Sequence, residues 1–340
     1  MIWILVDSSS VGGIERHIES LARALQRRAI AAQIVLLGEH GDNPWCRQLK
    51  QAGLGYRVLP GSILGLWNEL RQAGPSLIHT HGYKANFIGR LVARSLRIPV
   101  ISTYHAGERG AFPVNVYQAL DEYSSLLAPR LCVSTEIQHA LPYAARLAEN
   151  FIAIEPAHIA ADLPRCVGFV GRMSHEKAPD LFCAIAERCP ANVEFHAWGD
   201  GPMRADLEAQ FGRHVRFHGL VTDMARVWTA IGLLVMPSRA EGLPMAALEA
   251  LAHGVPILAS DVGGLPRLVS DGTSTGWLMK VGDLDGAVTA VGLWDALDVS
   301  AQSRIRQACV DHVRSHFSED VHFPGILDAY RAAGFNLACP

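Results

Sequence analysis

No apolar run in this chain approaches the roughly 18 residues that would cross a bilayer; runs such as Met1–Val6 and Gly232–Pro237 are far shorter. Charge of one sign is equally scarce. Lys and Arg number 30 against 33 Asp and Glu, a net charge of −3, and no block of like charge is long enough for a nucleic-acid arm or an acidic tail. Nucleic acid is therefore not an expected partner. The N-terminus lacks a basic flank and a cleavage-site pattern, so the chain is expected to be soluble, unprocessed and cytoplasmic. The seven cysteines are odd in number, scattered and never spaced C-x-x-C, which argues against a zinc knuckle and a disulfide scaffold. They read as mostly buried thiols in a reducing compartment.

What the chain does contain is enough apolar material for two cores: 49% of 340 residues are hydrophobic, and an average domain takes roughly 150 residues. Short β-rich runs alternate with amphipathic helical stretches throughout, the pattern of parallel sheets covered on both faces. The spacing predicts strands at Ile2–Val6, Gln33–Leu37, Tyr56–Leu59, Leu77–His79, Val100–Thr103, Arg130–Val133 and Phe151–Ile154. A second series follows at Cys166–Val170, Val193–Ala197, Val215–Phe217, Leu233–Met236, Pro256–Ala259 and Gly276–Met279. The rhythm breaks at Glu155–Pro164, with two prolines and no periodicity, and the domain boundary is placed there. The division predicted is 1–160, 161–310 and a helical tail, 311–340, that packs back towards the first domain. Doubly wound sheets bind ligands at the carboxyl ends of their strands, so a ligand is expected between the two domains.

Three segments at such ends carry chemistry. Gly12-Gly13, after the first strand, permits close backbone approach at a helix N-terminus, where amides and the helix dipole favour an anionic group. The segment lacks the third glycine of a dinucleotide fingerprint, which disfavours a nicotinamide site. Gly171–Lys177 places Arg172 and Lys177 five residues apart in a strand-to-helix loop, suited to a diphosphate, with Arg172 as a bidentate donor and Lys177 as a mobile point charge. The same loop reads equally as an exposed basic turn. Pro237–Ala250 holds Glu241 and Glu249, eight residues apart. At helical rise that spacing is about 12 Å, matching the two ends of a nucleotide sugar. Glu249 sits in an apolar helix, where its charge needs a partner. Residues Gly242, Leu243, Pro244 and Met245 offer helix N-terminal amides, the proline excepted.

The third segment resembles the E-x7-E signature of family 4 retaining glycosyltransferases, of GT-B fold. The order of segments agrees over nearly the whole chain: Gly12-Gly13 with Glu15, Ile78–His81, Thr103–His105, Gly171–Lys177, Gly199–Pro202, and Pro237–Gly254. The resemblance implies two Rossmann-like domains facing a central cleft, a nucleotide-diphosphate sugar held by the second and the acceptor held by the first. It assigns Arg172 and Lys177 to the donor diphosphate, Glu249 to the ribose, Glu241 to the donor sugar and the Val221 backbone to the base. Gly13 falls on the donor side, while Gly12, Glu15 and His81 fall on the acceptor side. His105 resembles the family's histidine near the reacting centre, so His105 and Glu241 are the catalytic candidates. Three positions depart from the pattern. Ala178 replaces a glycine, Arg267 replaces the glutamate of a Gly-Gly-x-x-Glu form, and an Asn-Gly turn is missing at the linker.

The reaction implied is retaining transfer of a hexosyl unit to a hydroxyl of a glycan or lipid-linked acceptor, in bacterial cell-surface polysaccharide synthesis. Cations and amides would stabilise the departing diphosphate, so no metal is required and no cofactor is expected. Rival readings are a catalytically silent GT-B module that binds glycan or a partner enzyme, and a nucleotide-sugar epimerase. His79 and His81, at i and i+2 on one strand, also fit a metal-dependent hydrolase, though that would need a closed barrel. The other histidines, such as His40, His253 and His312, read as surface or packing residues. Tyr83–Arg97 intersperses Lys84, Arg90, Arg94 and Arg97 with apolar residues, and Arg16, Arg23, Arg27 and Arg28 decorate the first helix. That pattern fits peripheral contact with the inner face of the cytoplasmic membrane, or an ordinary helix covering its sheet.

Overall fold

The computed structural model describes residues 1–105, 114–154, 163–221, 223–269 and 275–336. The chain forms two compact units, Met1–Ala153 with Glu319–Pro340, and Ile154–Ser318.

In the first unit the strands are β1 (Ile2–Val6), β2 (Ala32–Leu36), β3 (Tyr56–Val58), β4 (Leu77–His81), β5 (Val100–Tyr104), β6 (Arg130–Cys132) and β7 (Arg146–Leu147). The helices between them are α1 (Gly13–Arg27), α2 (Pro44–Gln51), α3 (Ile63–Ala73), α4 (Tyr83–Ser95), α5 (Val114–Ser124) and α6 (Thr135–Ala140). In the second unit the strands are β8 (Cys166–Val170), β9 (Glu194–Trp198), β10 (Val215–Gly219), β11 (Leu233–Met236), β12 (Ile257–Ser260) and β13 (Gly276–Met279). Its helices are α7 (Pro179–Arg188), α8 (Arg204–Phe211), α9 (Met224–Ala230), α10 (Met245–Ala252), α11 (Leu284–Asp295) and α12 (Val299–His316). The last helix, α13 (Glu319–Ala332), belongs to the first unit.

Both sheets are parallel, ordered β3-β2-β1-β4-β5-β6-β7 and β10-β9-β8-β11-β12-β13. Each winds outward from its first strand, then reverses to add strands on the other side. The reversal lies between β1 and β4 in one unit and between β8 and β11 in the other. At such switch points adjacent loops part and leave room for a ligand. The expected doubly wound α/β architecture is thus present in both halves. Every residue of β1 and of β4 is buried, because helices cover both faces of a parallel sheet.

Two expectations need correction. Phe151–Ile154 is not a strand; the short edge strand is β7, Arg146–Leu147. Phe151 is apolar because it lies in the core, edge-on to Phe323 of α13 with centroids 6.2 Å apart. The tail does not return at residue 311. Helix α12 stays with the second unit, against α10, and only α13 returns. Its Glu319 pairs with Arg27 of α1 and with Arg28 just after it, and Arg28 stacks over Phe323 at 4.5 Å. The linker at 155–162 lies outside the described residues. The cysteines among them are free, with Cys132, Cys166, Cys183 and Cys309 buried.

Candidate active site

In the first unit, β1 ends at Val6 and the chain reaches α1 through Gly12, which caps the helix without a side-chain bond. A Cβ on Gly13 would meet nothing within 4 Å, while the Glu15 carboxylate accepts from the backbone amides of Gly12 and Glu15 at this helix end. Glu15 sits in the first turn; burial raises its pKa despite a hydrogen bond from Ser8. Beside it, Asp7 accepts from Lys84 at 2.8 Å and pairs with His40 at 2.8 Å. Those partners hold Asp7 below its ordinary value although burial alone would raise it. His40 is thus no idle surface residue.

The ends of β4 and β5 bring histidines together. His81 Nδ1 and His105 Nε2 share a hydrogen bond of 2.9 Å, and the His79 and His81 rings lie 4.1 Å apart. His17 of α1 joins them at 4.8 Å from His105, and its Nδ1 donates to Asn150 Oδ1 at 2.8 Å. Burial pushes His17 down to about 4 and holds the other three well below the usual histidine range, helped by mutual repulsion. All four are therefore neutral imidazoles near pH 7. The sheet is open, which removes the closed barrel that the hydrolase reading required.

In the second unit, β8 leads into Gly171–Ala178. The loop is clamped by a glycine turn. Met173 donates to the Asp200 carbonyl at 2.9 Å, and a Cβ on Gly199 would fall 1.9 Å from the Gly171 carbonyl oxygen. Asp200 caps this turn, accepting from the Gly201 amide at 2.7 Å. At the loop's end Ala178 occupies the left-handed region, φ 50°, which explains why a glycine suits that position.

Lys177 does not project alone. Its Nζ lies 2.6 Å from both carboxylate oxygens of Glu241, which also accepts from Ser238 at 2.8 Å. The Glu241 side chain is only 4% exposed. Arg172, by contrast, is exposed and enters no ion pair among the described residues. Arg239 fastens the two loops together: its amide donates to the Glu176 carbonyl at 2.7 Å and its guanidinium grips Asp180 and the His175 carbonyl.

The 12 Å helical spacing of the two glutamates does not apply, because α10 begins at Met245 and Glu241 lies in the preceding loop. Glu249 is on the helix and accepts from Trp228 Nε1 at 3.1 Å, so its charge in the apolar helix has a protein partner. Leu243 and Met245 bury their side chains, and the Gly242 carbonyl accepts from the Gly264 amide at 2.8 Å. No side chain caps α10. Val221 is half-buried, just beyond Gly219 at φ 70°. Arg267 is exposed and stacks on Phe317 at 5.6 Å.

Lys177, Glu241 and the open α10 N-terminus therefore share one sheet edge, as do Gly13, Glu15, His81 and His105 in the first unit. Sequence reasoning missed His17, Trp228, Ser238 and the Asp180–Arg239 pair. Ser238 and Arg239 fall within the segment already singled out, but nothing local marks their partners.

Parallel sheets of this order, with ligand-facing groups at both reversal points, are the architecture of GT-B glycosyltransferases. Residues 11–154 match Glycosyltransferase Family 4 and residues 164–293 match Glycosyl transferases group 1. The chain belongs to this family. It is 25% identical to a D-inositol 3-phosphate glycosyltransferase of Mycolicibacterium paratuberculosis, over 96% of this chain and 87% of that one. It is also 25% identical to the O-antigen biosynthesis glycosyltransferase WbnH of Escherichia coli, over 79% and 83% of the two chains. The fold is shared with Anabaena Alr3699/HepE in complex with UDP-glucose, with TM-score 0.81, 20% identity and coverage of 97% and 99%. TarM has the same fold, with TM-score 0.77, 13% identity and coverage of 97% and 98%.

Proposed function

We propose that this glycosyltransferase moves a hexosyl unit, with retention of configuration and without a metal, from a nucleoside-diphosphate sugar to a hydroxyl of a glycan or lipid-linked acceptor. The second unit takes the donor and the first the acceptor. The observation that carries this reading is the Lys177–Glu241 pair beside the uncapped N-terminus of α10. An ammonium has three N–H donors, so one can serve Glu241 while another meets a phosphate oxygen. Charge that builds on the leaving diphosphate is met by Lys177, by Arg172 and by backbone amides near the N-terminus of α10, the proline excepted. Glu241, fixed by Lys177 and Ser238, faces the donor sugar, and Glu249, steadied by Trp228, takes the ribose. His105 and Glu241 act at the reacting centre, with the leaving phosphate receiving the acceptor proton on the same face.

The relative named for O-antigen biosynthesis supports a role in bacterial cell-surface polysaccharide synthesis, and the UDP-glucose complex of a protein of the same fold makes UDP-sugars the first donors to try. The protein works in the cytoplasm, with lipid contact through the exposed Leu91, Arg94 and Arg97 of the α4 region. That contact is narrower than the sequence pattern: Arg90 is buried against Asp121, Lys84 is paired with Asp7, and Arg16, Arg27 and Arg28 are paired with carboxylates. No helix among the described residues is long and apolar enough to cross a membrane. The deciding experiment incubates the EDTA-treated protein with UDP-, GDP- and ADP-sugars and candidate acceptors, and reads the anomer by NMR. An inverted product, or dependence on added divalent metal, refutes the mechanism; no transfer or hydrolysis with any donor refutes the activity.

A further inference from the structure

We propose that His17, His81 and His105 form a binding site for one first-row transition-metal ion that prefers imidazole, Zn2+ in the first instance. The three come from α1, the last residue of β4 and the residue after β5, and one nitrogen of each lies within 4.8 Å of the other two. The diphosphate-binding groups belong to the second unit and use no such ion, but His105 cannot both ligate a metal and serve at the reacting centre, so the loaded state is one in which transfer is blocked.

Two features set this cluster apart from a packing arrangement. The first is stranded polarity. His17 Nε2 and His81 Nε2 are buried and have no hydrogen-bond partner, although His81 is 0% exposed and His17 is 2% exposed. A buried polar nitrogen left unpaired is costly, and a metal ion is a natural acceptor of its lone pair. The second is tautomer control. Because His17 Nδ1 donates to Asn150 Oδ1 at 2.8 Å, its lone pair is fixed on Nε2, the nitrogen left bare. Metal-binding histidines are commonly held by such an outer hydrogen bond. The rings are also already neutral, the form that ligates.

His79, the obvious partner of His81 by strand spacing, is excluded. Its two nitrogens are taken by Tyr330 at 2.8 Å and Thr103 at 2.6 Å, so it buttresses His81 from behind. A tetrahedral zinc ion with bonds of roughly 2.0–2.1 Å needs nitrogens about 3.4 Å apart. Loading must therefore bring nitrogens that stand as much as 4.8 Å apart closer together, and His105 gives up its hydrogen bond to His81 when it ligates through Nε2. A cavity of about 130 Å³ lined by Ile14, Gly82, Tyr83 and His105 reaches the cluster at His105, the one of the three that is not fully buried.

The test titrates EDTA-treated, full-length protein with Co2+ and then with Zn2+. The expected result is one ion per chain by calorimetry, with the strong visible d–d bands of four-coordinate cobalt, displaced by zinc. His17→Gln and His81→Gln, each checked for folding by circular dichroism, should weaken binding on the order of a hundredfold. The double variant His312→Gln/His316→Gln, which removes a histidine pair on α12 of the second unit, should leave it unchanged. Absence of the four-coordinate spectrum, or equal affinity in His17→Gln and His81→Gln, overturns the site. If those variants fail to fold, zinc-edge absorption on the wild type decides: three imidazole nitrogens support the site and fewer overturn it. Neither donor nor acceptor enters these measurements, so a failure of metal binding and a failure of transfer are distinguishable.

Discussion

At the level of single residues, the Lys177–Glu241 pair couples chemistry to stability. Lys177→Ala removes a phosphate-binding cation, and it also strands a carboxylate that is 4% exposed. Breaking a fully buried pair from one side costs about 3–5 kcal/mol, and Lys177 keeps 27% of its side chain exposed, so the variant is expected to lose part of that stability as well as activity. The double variant Lys177→Met/Glu241→Gln removes both charges and should recover most of that loss by urea titration, while turnover stays reduced on the order of a hundredfold or more. Recovery of turnover along with stability would show that Lys177 serves only to neutralise Glu241. The histidine cluster sets the acid limit of the metal-free first unit. His17 titrates at about 4 when folded and near 6.5 when unfolded, so the unfolded chain binds more protons between those values and stability must fall as pH falls from 6.5 towards 4. His17 alone accounts for about 3 kcal/mol over that window, and His79, His81 and His105 shift in the same direction. Carboxylates held low by arginine, such as Asp180 beside Arg239, lose their contribution only below their ordinary range. Thermal melts of EDTA-treated protein should therefore decline steeply from pH 6.5, and His17→Gln should flatten the decline; a melting temperature constant down to pH 4 contradicts the buried neutral state.

At the level of elements, legibility followed burial. Strands β1, β8 and β11 coincide with the apolar runs because central parallel strands are covered on both faces and read as uninterrupted hydrophobic stretches. Phe151–Ile154 misled for the same reason: an apolar run records burial, and Phe151 is buried by α13 rather than by sheet pairing. The motif loops were visible because glycine, proline and charge cluster at strand ends. Their internal wiring was not, since Lys177 and Glu241 lie 64 residues apart and His17 and Asn150 lie 133 apart, and no local pattern encodes a tertiary partner. Glycines show how tightly the loops are pressed. Gly263 adopts φ +55°, and a Cβ there would sit 1.9 Å from the Glu241 carbonyl oxygen, while Gly264 donates to the Gly242 carbonyl at 2.8 Å. Gly263→Ala must displace the Glu241–Gly242 backbone, so it is expected to raise the Michaelis constant for the donor and lower the melting temperature together. An unaltered Michaelis constant would mean that this backbone does not shape the donor site.

At the level of the whole chain, two cores are built from a sequence that is not divided in two. The chain leaves the first unit after Ala153, forms the second, and returns at Glu319 so that α13 completes the first. The returning helix inserts Phe323, Ile326 and Tyr330 into the core formed by β1, β2, β4 and α1, and Tyr330 also holds His79 in place. The first unit's core thus includes residues that follow the second unit along the chain. Phe323 is 0% exposed and has both Phe151 and Arg28 against its ring, so Phe323→Ala should cost about 3–5 kcal/mol. Because α13 belongs to the first unit, that loss should be confined to one unit. Hydrogen exchange read by mass spectrometry is expected to show faster exchange in β1, β2 and β4 and unchanged protection in β8, β11 and β12. Equal loss in both sets would mean that the two cores unfold as one cooperative body.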